Sequence, residues 1–429
     1  MEVRGRGVLA AAAALALAPV GVHAGVAQTI DSALSVFHRP PLPDGPPAWE
    51  HSFGKLHVRF FPSMFYVQGT LLAAAFVYLV LAFAGRAING WRTRAWAREL
   101  GQALQSEFAV VGTGEERGGA PRLLWDGGDR AMLYASGRRG VQALHACVQL
   151  APLHDPLQLL VFSAIDNLAL PPVPWMQHDE TTLIFRLPRS PRGACGSFAL
   201  IDKTVLQRVR HGRFDLAFAK VSDVAGMNAS RALDERFAIA SEAANITDRF
   251  LGESGARGDA QRAALGLVDA LNSNAGRWLV SLVWTDQPRV RPMDGALPEA
   301  ARLPRLELTL RLPRTAAQAR EALPLVGAAL DIVDALHLTA AGRSDLLALR
   351  PETCATLRRT RDEVDQLLNE ERDRDAKEEE EENRERARRQ AAQERLEQLS
   401  PAEQEKRREI EKKRAKRKAQ GRLKIGGGR

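Results

Sequence analysis

The residues of this chain with the strongest chemical leaning are cations. Lys406, Arg407, Arg408, Lys412, Lys413, Arg414, Lys416, Arg417 and Lys418 cluster near the C-terminus, and from residue 403 to 429 twelve Lys/Arg stand against four Glu. That local excess equals the whole formal net charge of +8. Cations spread around a helix suit phosphate, whether of ribosomal RNA or of anionic lipid, and the chemistry expected of them is binding with counterion release. Patterns for bond-breaking chemistry are thin. His145 and Cys147 stand two apart without further ligands. Gly112 and Gly114 lack the strand-glycine-helix spacing of a dinucleotide site, and no Gly-Lys-Ser/Thr, Gly-x-Ser-x-Gly or His-Glu-x-x-His motif occurs. Three cysteines, Cys147, Cys195 and Cys354, form no Cys-x-x-Cys pair. They fit reduced cytosolic thiols better than a disulfide framework or zinc site. No catalytic residue, cofactor or metal is expected.

A basic arm acts where its chain holds it, and two hydrophobic segments address that. Arg4 and Arg6 precede an Ala/Leu-rich run, and Val22-His23-Ala24 places small residues where a signal peptidase reads, so residues 1–24 are expected to be a cleaved signal peptide. Residues 65–84 carry no charge over about the length that crosses ~30 Å of hydrocarbon, and a transmembrane helix is expected over 65–85. Arg86, Arg92, Arg94 and Arg98 follow it closely, whereas only Lys55 and Arg59 precede it. That bias puts the C-terminal side in the cytosol. Tyr66 and Trp91 stand where amphipathic rings favour the two interfaces, so the membrane interface is assigned to Tyr66, Arg86, Trp91, Arg92 and Arg94. Residues 25–64 contain Pro40, Pro41, Pro43, Pro46 and Pro47 and are expected to be a short, extended lumenal stub.

Residues 86–352 are expected to form a mixed α/β cytosolic domain. A juxtamembrane helix is read from Trp91, Ala95, Leu100, Leu104 and Phe108, and a loop from 112–119. Strands are expected over 306–312, 182–187 and 278–284, the first two each followed by or ending in Arg-Leu-Pro-Arg. Helices are expected over 234–251, 259–272 and 323–338. Asn228 and Asn245 open glycosylation motifs that are used only in a lumenal domain. Residues 353–429 read as a charged helical tail. Glu380/Arg384, Glu382/Arg386, Glu385/Arg389 and Glu409/Lys413 are spaced to pair, and Ser400-Pro401-Ala402-Glu403 caps a second, basic helix. Val364, Leu367, Ala387, Leu396 and Leu399 sustain no heptad seam, which favours a lone charged helix over a long dimer. The fold class expected is therefore α+β with one transmembrane helix and a long, coiled-coil-like charged tail.

This layout resembles the calumin family, the coiled-coil subunit of the PAT intramembrane chaperone complex at the endoplasmic reticulum translocon. The stretches that carry the resemblance are WRTRAWARELGQALQSEFAVVG (91–112), RFDLAF (213–218), TDQP (285–288), LELTLRLPR (306–314) and LPLVGAALDIVDALHL (323–338). The resemblance implies a non-enzymatic chaperone subunit in the endoplasmic reticulum membrane. It implies as partners a small multispanning Asterix-like protein, the Sec translocon, the ribosome and nascent multipass proteins. A membrane-anchored RNA- or lipid-binding adaptor unrelated to the translocon is the alternative. The stub offers only Asp31, Asp44 and Glu50, whereas animal members carry a long acidic lumenal segment linked to calcium. Calcium needs roughly six to eight oxygens, which such a stub does not gather.

Overall fold

The structure, a computed structural model, describes residues 47–53, 56–61, 66–112, 123–167, 179–188, 196–222, 231–253, 256–298 and 301–397. The signal-peptide segment, the break expected at Ser400 and the nine basic tail residues lie outside the described residues. Two compact units divide the chain, one from residues 1–88 with 152–161 and the other from 89–151 with 162–429.

In the first unit, β1 (Trp49–Phe53) and β2 (Leu56–Phe60) pair antiparallel, Trp49 opposite Phe60 and Phe53 opposite Leu56. The expectation of a wholly extended stub fails here. Five of the stub's prolines lie upstream and Pro62 lies just beyond β2, so residues 48–61 between them are free of proline, and His51, Phe53, Leu56, Val58 and Phe60 suit a ladder. Helix α1 (Tyr66–Glu107) begins in this unit and runs 42 residues without a proline. Its apolar 18-residue window has mean hydropathy 2.1 and is 6% buried.

The turn before α2 (Pro156–Asn167) lies directly on α1, because a Cβ at Gly85 would overlap the Leu153 carbonyl. Tyr78 donates its hydroxyl to Asp155 Oδ1 at 3.2 Å, and that oxygen also accepts the Gln158 N–H at 3.1 Å, capping α2.

The second unit is built on a ten-stranded sheet in which every pair is antiparallel. Its strands are β3 (Val110–Val111), β4 (Leu124–Asp126), β5 (Arg130–Ser136), β6 (Ala143–Gln149), β7 (Glu180–Arg186), β8 (Ser197–Asp202), β9 (Lys220–Ser222), β10 (Phe237–Ser241), β11 (Leu279–Thr285) and β12 (Arg305–Arg311). The order is β3-β5-β6-β7-β12-β11-β8-β10-β9, with β4 beside β3 on the free edge of β5. The two Arg-Leu-Pro-Arg segments follow the neighbouring strands β7 and β12 and close them reciprocally. Leu187 N–H donates to Pro304 O at 2.9 Å, and Leu312 N–H to Asp179 O at 2.9 Å.

Helices cover one face. They are α4 (Ala244–Leu251), α5 (Ala256–Leu265), α6 (Leu267–Asn272), α7 (Ala316–Ala340) and the second-unit part of α1. Trp96, Leu100, Leu104 and Phe108 of the α1 region join Leu133, Leu183, Phe185, Leu308, Phe250, Leu325 and Ile332 in one core. A smaller cluster of Ala199, Ile201, Leu216, Ala219, Ala240 and Val283 adds a second apolar centre. Helix α3 (Leu206–Arg210) contributes Leu206 and Val209 against it. Helix α7 is also long and apolar enough to cross a membrane, with mean hydropathy 1.5, but 61% of its window is buried inside this unit. Core packing accounts for its apolarity. Thr315 accepts the Gln318 N–H at 3.3 Å while Gln318 Oε1 accepts the Arg314 N–H at 3.0 Å, the reciprocal cap that starts α7.

Three expectations need correcting. Residues 234–251 are not one helix, because 237–241 form β10, all five residues buried. A strand buried on both faces loses its alternation and reads like a helix. Residues 259–272 divide into α5 and α6 at Gly266, whose φ of 60° is left-handed. The juxtamembrane helix is the continuation of α1, and its inward stripe is Asn89, Thr93, Trp96, Leu100 and Leu104, while Trp91 is exposed.

Candidate membrane interface and tail anchor

Two surfaces bear on function, one where the sequence places the membrane interface and one that the sequence does not mark. The first lies on α1. Tyr66, Leu72, Phe76 and Phe83 are exposed apolar or amphipathic side chains, and in water such a patch is costly. Of the five interface residues, Tyr66, Arg86, Trp91 and Arg94 are exposed, with Trp91 six residues beyond Gly85. Arg92 is placed otherwise: it is partly buried and its guanidinium pairs with Asp179, whose second oxygen accepts the Ala151 N–H at 3.1 Å. It braces the domain. Nearby, Asn89 donates to Gly128 O at 2.9 Å and Ala151 O at 3.0 Å, and Trp96 Nε1 donates to Thr181 Oγ1 at 3.1 Å. From Asn89 onward this helix is therefore tied into the sheet by polar as well as apolar contacts.

The second surface is the root of the tail. Helix α8 (Pro351–Glu397) runs 47 residues, opening with proline at its first position. Asn245 Oδ1 accepts the Arg350 N–H at 3.0 Å just ahead of it. Leu357, Arg361 and Leu368 are buried and Val364 is half-buried, one stripe at helical spacing. Arg361 makes a bidentate pair with Glu242, both bonds at 2.6 Å, donates to Asp286 Oδ1 at 3.1 Å, and lies 4.8 Å from the Phe218 ring centroid. Burial works against its charge, but Asp286 and Glu242 outweigh it and hold the guanidinium above its ordinary value. Further along, Arg302 pairs with Asp365 at 2.6 Å, Asn369 Oδ1 accepts the Ala296 N–H at 3.0 Å, and Arg291 pairs with Glu371 at 2.5 Å. From Glu370 onward every side chain whose exposure is described is exposed. There the helix is held by its own pairs, Glu380–Arg384 at 3.1 Å and Glu382–Arg386 at 3.0 Å, both as expected from spacing.

Glycine is required at two places in this seat. A Cβ at Gly196, φ 131°, would stand 2.7 Å from Ile246 Cδ1 and 3.3 Å from Leu357 Cδ1. One at Gly295, φ 88°, would stand 2.8 Å from Asn369 Oδ1.

The RFDLAF and TDQP stretches converge on this root. Phe218 and Asp286 meet Arg361 directly, and Phe214 packs edge-on against Phe218 at 5.1 Å. Arg213 binds Asp215 at 3.0 and 2.5 Å and Glu307 at 2.9 Å, and Arg305 binds Glu307 at 2.7 Å. Burial pushes the Glu307 carboxyl up, but Arg213 and then Arg305 outweigh that and hold it below the usual carboxylate range. Sequence reasoning missed Arg361 and Glu242, because nothing in a run of alternating charges marks which arginine is buried. His145 and Cys147 both lie on β6. His145 is held below its ordinary value by burial and Arg186, and burial pushes the Cys147 thiol up, away from reactive thiolate. No group of three or more His, Cys, Asp or Glu able to hold a metal occurs among the described residues.

No curated protein matches the chain. The family described as PAT complex subunit CCDC47 does match, over residues 64–418, which takes in the apolar part of α1, the sheet domain and α8, and the chain belongs to that family.

Proposed function

We propose that this chain is a non-enzymatic subunit of an endoplasmic reticulum membrane chaperone, assisting insertion and folding of multipass membrane proteins at the ribosome-bound translocon. The observation that carries the reading is the pairing, in one member of the PAT subunit family, of an exposed apolar helix with a long charged helix seated at its root. In this reading α1 crosses the membrane once, with the hairpin side lumenal and the sheet domain cytosolic. The basic residues from Lys406 to Lys418 contact ribosomal RNA, and an Asterix-like multispanning protein and the Sec translocon are partners. A polar side chain at the bilayer centre costs a few kcal/mol until its own partners arrive, so shielding is useful to a nascent protein.

Affinity isolation in mild detergent should recover ribosomes, Sec translocon and a small multispanning partner. Recovery of none of them refutes the reading. Replacing Lys412, Lys413, Arg414, Lys416, Arg417 and Lys418 by glutamate should reduce ribosome co-sedimentation, and the remaining binding should fall less steeply with salt. Unchanged sedimentation would leave the tail as a solvated appendage.

A further inference from the structure

Helix α2 is twelve residues long, reads PLQLLVFSAIDN, and carries a single charge, Asp166. An apolar segment of that length is a buried core helix or one that lies in a membrane interface. The core alternative is excluded where its side chains are described, since Leu157 and Leu160 are each 67% exposed and Val161 52%. We propose that α2 is a second membrane contact, lying in the boundary between headgroups and acyl chains beside α1, its occupant being lipid. This rests on the reading of α1 as the membrane span.

Three observations commit the surface to lipid. The turn leading into α2 lies on α1 at Gly85, the last residue before Arg86 ends the uncharged stretch, so α2 starts at the depth where hydrocarbon meets headgroups. The exposed apolar residues of α2 from Leu157 to Val161 thus stand in the same compact unit as the exposed apolar face of α1. Finally, the one carboxylate drawn toward the span is satisfied: Asp155 accepts from the Tyr78 hydroxyl, two turns deeper along α1, and from the Gln158 N–H. At a low-dielectric boundary a carboxylate needs such partners. Interfacial helices bind through buried apolar area in this way, with their polar residues toward the headgroups. Gln158 supplies that side here.

The test places the photoreactive residue p-benzoylphenylalanine at Leu157 or Leu160 of the full chain. The protein is reconstituted in phosphatidylcholine vesicles containing tritiated phosphatidylcholine. Leu72 on α1 serves as the span probe and Val290, exposed on the other unit, as the aqueous one. Label transfer at Leu160 several-fold above Val290 and close to Leu72 is expected. L157E/L160E should abolish transfer from a probe at Val161 while leaving the Leu72 adduct intact. If Leu72 labels but Leu160 stays at the Val290 level, or crosslinks to a second copy of the chain instead of lipid, α2 is not a membrane contact. If Leu72 itself fails to label, the membrane reading of α1 falls, and this inference with it.

Discussion

Arg361→Ala is expected to loosen the root of the tail without unfolding the sheet domain. The substitution removes two 2.6 Å bonds to Glu242, one at 3.1 Å to Asp286 and the stacking on Phe218, and leaves the Glu242 side chain, 4% exposed, with no cation paired to it among the described residues. Breaking a buried pair in this way costs about 3–5 kcal/mol. Each buried leucine of the stripe, Leu357 and Leu368, contributes roughly 1.5–3 kcal/mol. The loss is therefore comparable to the apolar hold that remains, and at ~1.4 kcal/mol per decade it lowers the ratio of seated to unseated forms by about two to three and a half decades. Hydrogen exchange reads this directly: amides across residues 355–369 should lose protection by about that ratio, while residues 380–397, already clear of the domain, should not change. Arg359→Ala is the control. Its side chain is 82% exposed and it pairs only with Glu363 four residues on, a contact worth about 0.3–0.5 kcal/mol. Equal protection in Arg361→Ala and wild type would refute the assignment of Arg361 as the anchor.

Gly196→Val should unseat the same region, since its Cβ meets both Ile246 and Leu357 in a left-handed backbone. The exchange pattern should match that of Arg361→Ala, and wild-type protection would count against steric control of the seat. For Glu307 the sign follows from its depressed value. The carboxylate stabilises the fold above the ordinary Glu range, and that contribution is lost as pH falls through the lower folded value. The stability gap between wild type and Glu307→Gln, measured by denaturant titration of the full chain in detergent, should therefore be widest near neutrality and close on acidification. A gap independent of pH would refute it. Trp96→Ala should cost about 3–5 kcal/mol, because the ring is fully buried and its Nε1 bonds Thr181. Asn245 should stay unglycosylated even if the domain is forced into the lumen in folded form, because its side chain is buried and its oxygen is bonded to Arg350 N. A glycan there would mean that modification precedes folding.

What the sequence made legible was whatever is periodic or locally capped. The apolar run of α1, the alternating β12 and β7, and the Glu-to-Arg spacing of α8 each declare themselves within a dozen residues. Strands β8 and β10 are buried on every residue and lose that alternation, whereas β11, buried throughout, still reads as a strand over 278–284. In β5 the inward positions include Ala131 and Ala135, too small to mark a face. The tail anchor was illegible for another reason. Arg361, Glu242, Asp286 and Phe218 come from four separate segments that only the sheet order gathers, and Arg361 sits among other arginines of the same composition. His145 and Cys147, which do stand out by type, lie on one side of β6 as ordinary strand residues.

The seat of α8 also has a mechanical meaning. Residues 372–397 form a cantilever of roughly 39 Å at ~1.5 Å per residue, clamped only at its root among the described residues. A tilt of about 10° there would carry the far end sideways by ~7 Å, about the width of a side chain, without touching any residue beyond the clamp. The direction in which α8 leaves the domain is thus set by Arg361, Leu357, Asn369 and the glycines that admit them. A substitution at the root would redirect the arm while leaving its charge, helicity and sequence intact.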